Sequence, residues 1–409
     1  MSTTQSAAAT STTEAPPDRG WRTAISSMIG LACGPSVLLV MSFGVFITPL
    51  DRAFGWGIPA IALGASILSI TTMILSPVQG WLVDRFGGRR VILVSSPFFG
   101  LSLMAMYLLP DSLPVFYLAW VLIPLCGLGL WPASYLRLTA GWFERRLGLA
   151  LGIANSGIGV GTVIVPIITA VLIGSFGWRV AYLGLGVIAL IAFPVALLLL
   201  SEPSPRRAGV PAGGDTLRVA ATQRVFWLVL AAFFLLGVVG STIVVHQVRI
   251  LLEAGIPPGV ANLVPVALGL ALIVARLATG WLLDRVAVSR VMSLYLVGGI
   301  VAVLLLATGP DIARALLAAA LGGLLIGAEF DVLSYLIPRY FGRLAFGKIY
   351  GITFAAFQLA SAITAYAVGV SRVSFGSYTP ALLTMAGLCV ICGGLFLVLG
   401  PYRYDAAHR

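Results

Sequence analysis

Gly80-Trp81-Leu82-Val83-Asp84-Arg85 returns further along the chain as Gly280-Trp281-Leu282-Leu283-Asp284-Arg285. Each copy lies at the end of a long apolar run, residues 58–79 for the first and 257–282 for the second. A membrane-crossing helix needs about 20 consecutive apolar residues. Working outward from the two copies, such runs are expected at 24–50, 58–79, 91–109, 113–138, 147–173, 178–200, 225–251, 257–282, 289–308, 311–337, 347–371 and 378–400. Both copies end the second run of a set of six. A weaker repeat agrees: Gly141-Trp142-Phe143 with its following arginines answers Arg339-Tyr340-Phe341 and Arg343. The pattern predicts an all-α membrane protein of twelve transmembrane helices in two six-helix pseudo-symmetric halves. The expected division is a disordered tail at 1–23, an N-terminal bundle at 24–200, a linker at 201–224, a C-terminal bundle at 225–400 and a tail at 401–409.

Composition excludes the alternatives. Of the 409 residues, 59% are hydrophobic and only 10% charged, and the mean hydropathy is +1.04. A soluble protein carries roughly a quarter of its residues as charges. Closed backbone hydrogen bonding in lipid leaves helices or barrels, and a barrel strand would alternate polarity at every second position. Here the runs are continuous, as in Val180–Leu200, which holds no charge. The net charge of +11 is spread loop by loop, without the basic stripe that a nucleic acid requires. Cys33, Cys126, Cys389 and Cys392 all lie in apolar runs. Cys389 and Cys392 have redox or metal spacing but no histidine or second pair beside them, so they are read as helix packing. Residues 1–20 lack the apolar core of a signal peptide.

Lys and Arg set the orientation. With the N-terminus inside, eighteen basic residues fall in inner segments, four in outer segments (Arg52, Arg179, Arg314, Arg372) and three within helices (Arg137, Arg249, Arg276). The expected location is therefore the cell inner membrane with both termini cytoplasmic. The chain is expected to be a monomer, with the bilayer, a small-molecule substrate and protons as its partners.

The loop Gly80–Arg90, reading GWLVDRFGGRR, is similar to the signature between the second and third helices of the major facilitator superfamily. The resemblance implies that superfamily's fold and a mechanical role for Gly80, Asp84, Arg85 and Arg89, repeated in Gly280, Asp284 and Arg285. Gly80 would let helices approach closely. Asp84 would face a helix N-terminus, where the dipole favours an anion, and the arginines would hold a cytoplasmic gate through ion pairs. Three further segments resemble the monocarboxylate and oxalate/formate transporter branch, in a bacterial subgroup: SFGVFITPLDRAFGW at 42–56, GWFERRLGLALGIANSGIGVG at 141–161 and ARLATG at 275–280. In that branch an arginine of the eighth helix binds the substrate carboxylate, which places Arg276 in that role. The chain departs from the animal members of the branch in two ways. It has no lysine in its first helix, and Leu272 stands where they carry an acid one turn before the arginine.

A charge at mid-bilayer costs about 3 kcal/mol or more unless paired or wetted, which makes buried charges candidates for function. Arg276 lies eight residues before Asp284, or about 12 Å into the membrane. Its planar fork suits a carboxylate, with a structural ion pair as the plainer reading. Arg137 is read as a substrate contact or as a structural pair. Glu329 and Asp331 are the proton-coupling candidates. Two residues apart on a helix, they point about 200° from one another, so one is expected on the path and the other against a buried arginine. His246 is read as a relay or substrate donor, or as a packed interfacial ring. Tyr135, Asn155, Tyr335 and Gln358 are read as cavity-lining groups or interhelical hydrogen bonds.

No phosphate loop, metal cluster or nucleophile with a base is present in the sequence, so no enzyme, cofactor or metal is expected. The expected function is import of a small organic anion with a proton. Import of a larger vitamin-like metabolite such as a flavin, efflux by antiport, and a non-transporting receptor are the alternatives.

Overall fold

The computed structural model of the protein describes residues 18–203, 213–261, 263–309 and 311–404. Parts of the expected tails and linker (1–17, 204–212 and 405–409) lie outside the described residues. Among the described residues no strand forms.

The first half begins with α1 (Asp18–Ala32), α2 (Pro35–Leu38) and α3 (Phe43–Phe54), which together make one broken crossing. α1 starts inside the segment expected as tail. Thr23, Ser26 and Ser27 are buried, and the Ser27 hydroxyl bonds that of Thr139 at 3.1 Å. The first six residues of α1 include Asp18, Arg19, Arg22 and Thr23, which carry no apolar signal, so the apolar run starts only at residue 24. α4 (Ile58–Phe86) and α5 (Gly88–Ala105) follow, then a crossing split into α6 (Leu113–Cys126) and α7 (Pro132–Trp142).

α8 (Leu147–Leu199) covers 53 residues as two helices joined at a kink. Straight, it would reach about 80 Å, far beyond a hydrocarbon core of about 30 Å. Gly177 breaks it, with φ 82° and ψ 167°, a conformation that side chains disfavour. The chain reverses there, so α8 is the fifth and sixth crossings. After the linker helix α9 (Leu217–Ala221) come α10 (Arg224–Glu253), α11 (Pro258–Ala261), α12 (Val264–Leu283), α13 (Val288–Ala307), α14 (Ile312–Tyr340), α15 (Phe346–Phe375) and α16 (Thr379–Leu397). α11 and α12 form one crossing. Among the described residues, ten stretches are long and apolar enough to span a bilayer. The split α6–α7 crossing and the second limb of α8 complete twelve in two sets of six.

The outer faces are apolar. Ile70, Ile74 and Val78 on α4 and Val94, Phe98 and Leu101 on α5 are all exposed. An aqueous surface does not carry such bands; a lipid-facing one does. This is a multi-pass membrane protein.

Candidate transport site and gate

The two copies of the opening motif meet the opposite half of the protein. Asp84, near the end of α4, accepts hydrogen bonds from the backbone N–H of Gly347 at 2.8 Å and of Lys348 at 2.9 Å, in the first turn of α15. Asp284, just after α12, accepts from Gly148 at 2.7 Å and Leu149 at 2.9 Å, in the first turn of α8. Each carboxylate thus satisfies orphan N–H groups and sits at the positive end of a helix dipole. The two contacts are related by the pseudo-symmetry of the halves. Between them the backbones touch. A Cβ on Gly80 would lie 2.0 Å from the Gly347 carbonyl oxygen, and one on Gly280 2.5 Å from that of Gly148.

More bonds cross at the same end. Arg339 donates to the Glu144 carbonyl at 3.0 Å. Arg343 reaches the carbonyls of Gly141 at 3.4 Å and Phe143 at 3.1 Å. The Ser76 hydroxyl donates to the Gly351 carbonyl at 2.9 Å. The halves are closed here.

The signature arginines act differently from the expected ion pairs across the gate. Arg89 stays within its own half, where its side chain bonds the Leu200 and Leu197 carbonyls at the end of α8. These are unsatisfied C-terminal carbonyls, which a guanidinium caps well. Arg85 lies over the rings of Trp81 and Phe86. Arg285 lies over Trp281 and donates to its carbonyl. Arg137 joins the gate, with Nε 3.2 Å from Asp84 Oδ1; it does not join Arg276.

Deeper in the protein, Arg276 on α12 is 3% exposed. Its NH1 lies 3.9 Å from Oδ1 of Asp331 on α14. Asn155 on α8, from the first half, donates its side-chain amide to that same oxygen. The acid beside Arg276 thus stands on α14, not on its own helix at Leu272. Arg276 NH1 and Nε, Asp331 Oδ2 and Asn155 Oδ1 are buried with no hydrogen-bond partner. The Tyr350 hydroxyl on α15 is also buried and unbonded, within electrostatic reach of Arg276 and Asp331. Tyr350 also walls a narrow cavity of about 10 Å³ between the halves, with Gln79, Ser76, Trp131 and Phe354. That is room for about one water molecule.

The two acids of α14 part as their spacing requires. Asp331 turns to Arg276. Glu329, fully buried, lies beside Gly240 of α10, where an added Cβ would lie 3.2 Å from its Oε1, and stays within electrostatic reach of Arg276. Neither Glu329 oxygen has a hydrogen-bond partner.

The remaining candidates lie apart from Arg276. His246 Nε2 is 3.1 Å from the Ala365 carbonyl, and its ring rests against Tyr378. Tyr135 is buried against Gly30 within the first half. Tyr335 sits beside Arg339 and the Tyr402 ring. Gln358 is half-buried. Sequence reading passed over Tyr350 and Gln79. Each is a polar group in a largely apolar run, Gln79 immediately before the opening motif and Tyr350 two residues after Lys348.

The sequence model of the Major Facilitator Superfamily matches residues 29–249, and the chain belongs to that family. It is related to the monocarboxylate transporter branch. Monocarboxylate transporter 11 of Mus musculus is 27% identical over 403 residues, 95% of this chain and 89% of that one. A 38 kDa protein of the 23S RNA operon of Thermoproteus tenax is 28% identical, over 86% of this chain and 95% of its own length. The MFS-type transporter YcxA of Bacillus subtilis is 25% identical, covering 88% and 89%. Among solved structures, the superfamily transporter FucP in its outward conformation has a TM-score of 0.74 at 14% identity, covering 93% of this chain and 99% of that chain. The proton:xylose symporter XylE has a TM-score of 0.73 at 14% identity, covering 94% and 96%. The protein is a transporter and not an enzyme.

Proposed function

We propose that this transporter works by alternating access and carries a small organic anion of monocarboxylate type inward together with a proton, in the cell inner membrane with both termini cytoplasmic. The observation that carries the reading is the buried Arg276–Asp331 pair with Asn155 laid across it. A guanidinium is the natural seat for a carboxylate. A substrate anion at Arg276 competes with Asp331 for that seat. Two anions beside one cation in a dry site are costly, so Asp331 takes a proton as the substrate binds. Anion and proton then travel together. The gate formed by Asp84 and Asp284 closes the cytoplasmic end while the site loads from outside.

A second reading is import of a larger, neutral, vitamin-like metabolite, with Arg276 kept in a structural pair. The pairing already present at 3.9 Å favours it. Purified protein in liposomes separates the two. Under the first reading, an acid-outside gradient drives accumulation of a radiolabelled monocarboxylate above equilibrium, and collapsing the gradient abolishes it. Gradient-independent uptake of a neutral vitamin, with no monocarboxylate transport, supports the second.

A further inference from the structure

Outside the gate, where α4 and α15 meet, two adjoining hollows of about 440 and 450 Å³ share Trp81, Thr216, Leu217 and Lys348. Arg85 lines one and Arg218 the other. Arg85, Arg218 and Lys348 come from α4, the linker helix and α15, so three segments converge on one groove. Among the described residues none of the three forms an ion pair. Asp84 also lines the groove; it pairs with Arg137 and interacts electrostatically with Lys348, so its single negative charge offsets only part of the three cations. The groove is left with a surplus of positive charge.

An apolar track leads into it. Ile70, Ile74, Val78 and Trp81 are exposed in succession along α4, at the spacing that forms one helix face. Trp81 stands where the track meets the cations, the position that tryptophan favours at a membrane interface. A free anion in water has no use for such a track; an acyl chain lies along it.

We propose that this groove binds the phosphate headgroup of an anionic membrane lipid, with an acyl chain along the exposed face of α4. The site is shared by both halves and the linker, so it is whole only while the gate is closed. A lipid held there favours the closed gate by its differential affinity. The binding itself is independent of which solute the transporter carries.

Lys348 is the sole lysine of the chain, which gives a direct probe. Arg290→Lys adds a second amine at the same end, on an exposed site away from the groove, as an internal reference for surface potential. Both amines are labelled with an amine-reactive reagent in nanodiscs of phosphatidylcholine alone or with phosphatidylglycerol. The expected result is that phosphatidylglycerol slows Lys348 labelling about fivefold relative to residue 290. Inorganic phosphate added to phosphatidylcholine discs should give no such protection, and Arg218→Gln should remove most of it. An unchanged ratio between the two lipids overturns the proposal. So does equal protection by inorganic phosphate, which makes the groove a site for free anions. Protection that survives Arg218→Gln overturns it too, because the effect then comes from the general surface charge.

Discussion

Asn155, on the first half, donates its amide to Asp331, on the second, and the bond joins the halves at the depth of Arg276. A hydrogen bond to a charged group is worth about 1.5–3 kcal/mol. Asn155→Ala should therefore weaken the closed arrangement by about tenfold or more in population, read as faster labelling of a cysteine placed in the gate. Asn155→Asp should do worse, because it sets two buried carboxylates together. It has a distinguishing sign: activity should recover as the pH falls, because one of two adjacent carboxylates then takes a proton. An Asn155→Asp protein with wild-type exchange at neutral pH would show that the bond carries no transport step.

The gate depends on backbone contact. Gly80→Ala places a methyl group 2.0 Å from the Gly347 carbonyl oxygen, and backbone on both sides leaves nothing flexible to yield. The halves must separate, and the two Asp84 bonds lengthen with them. Transport should fall by about tenfold or more, the loss of one or more charge-assisted bonds, while equilibrium substrate binding stays near wild type. Asp84→Asn should act in the same direction. Gly174→Ala is the control, since a Cβ there meets nothing within 4 Å, and initial uptake rates should match wild type. A Gly80→Ala protein that binds poorly but turns over normally would move this residue from the gate to the substrate site.

Asp215, in the linker, ties the second half to the C-terminal segment. Its carboxylate bonds Arg403 at 3.2 Å, the Tyr404 hydroxyl at 3.1 Å and Gln223 at 2.5 Å. Its own N–H donates to the Phe341 carbonyl at 2.8 Å. Phe341 precedes Arg343, which reaches the first half. Asp215 is buried but Arg403 is more than half exposed, so water screens the arginine's side of the pair, and its loss alone should matter little. Arg403→Ala is expected to change exchange by less than about fivefold. Asp215→Ala removes all three partners and should loosen the gate by about tenfold, measured as faster counterflow exchange. Equal effects from the two variants would mean that the carboxylate does not act as a shared anchor.

The fold was legible because hydropathy and the doubled motif are both local signals. Gly80 and Gly280 each predict a close helix contact, and each makes one. The site was legible only in part. Arg276, Glu329 and Asp331 stood out because charge inside an apolar run is conspicuous at any depth. Their partnerships were not, because a helix fixes angle along itself and says nothing of its neighbour. Asp331 pairs with Arg276 across two helices; the sequence offered a buried arginine to one of the two acids, without saying which acid takes it, and an empty place at Leu272. Arg89 misled for the same reason. Its position in the signature suggested an ion pair, while the free carbonyls it meets belong to a helix end far away in sequence. Tyr350 carries no charge and was passed over as one aromatic among many.

The Arg276–Asp331 pair provides the last test. Removing one member of a buried pair leaves the other uncompensated, at a cost of about 3–5 kcal/mol. Arg276→Ala should thus lower both the yield of folded protein and substrate binding, and binding loss alone would prove little. The double variant Arg276→Gln with Asp331→Asn restores neutrality and should return a monodisperse protein that still fails to bind the substrate. Arg276→Lys keeps the charge without the fork and should weaken binding by about tenfold, one good charge-assisted bond. Asp331→Asn frees the guanidinium and removes the acid. It should exchange substrate across the membrane but no longer accumulate it when an acid-outside gradient is imposed. Glu329→Gln, which leaves the Arg276–Asp331 pair in place, should keep that accumulation. If the neutral double variant transports at the wild-type rate, the pair is structural and the neutral-substrate reading takes its place. If Glu329→Gln uncouples while Asp331→Asn does not, the proton travels by the acid that faces Gly240.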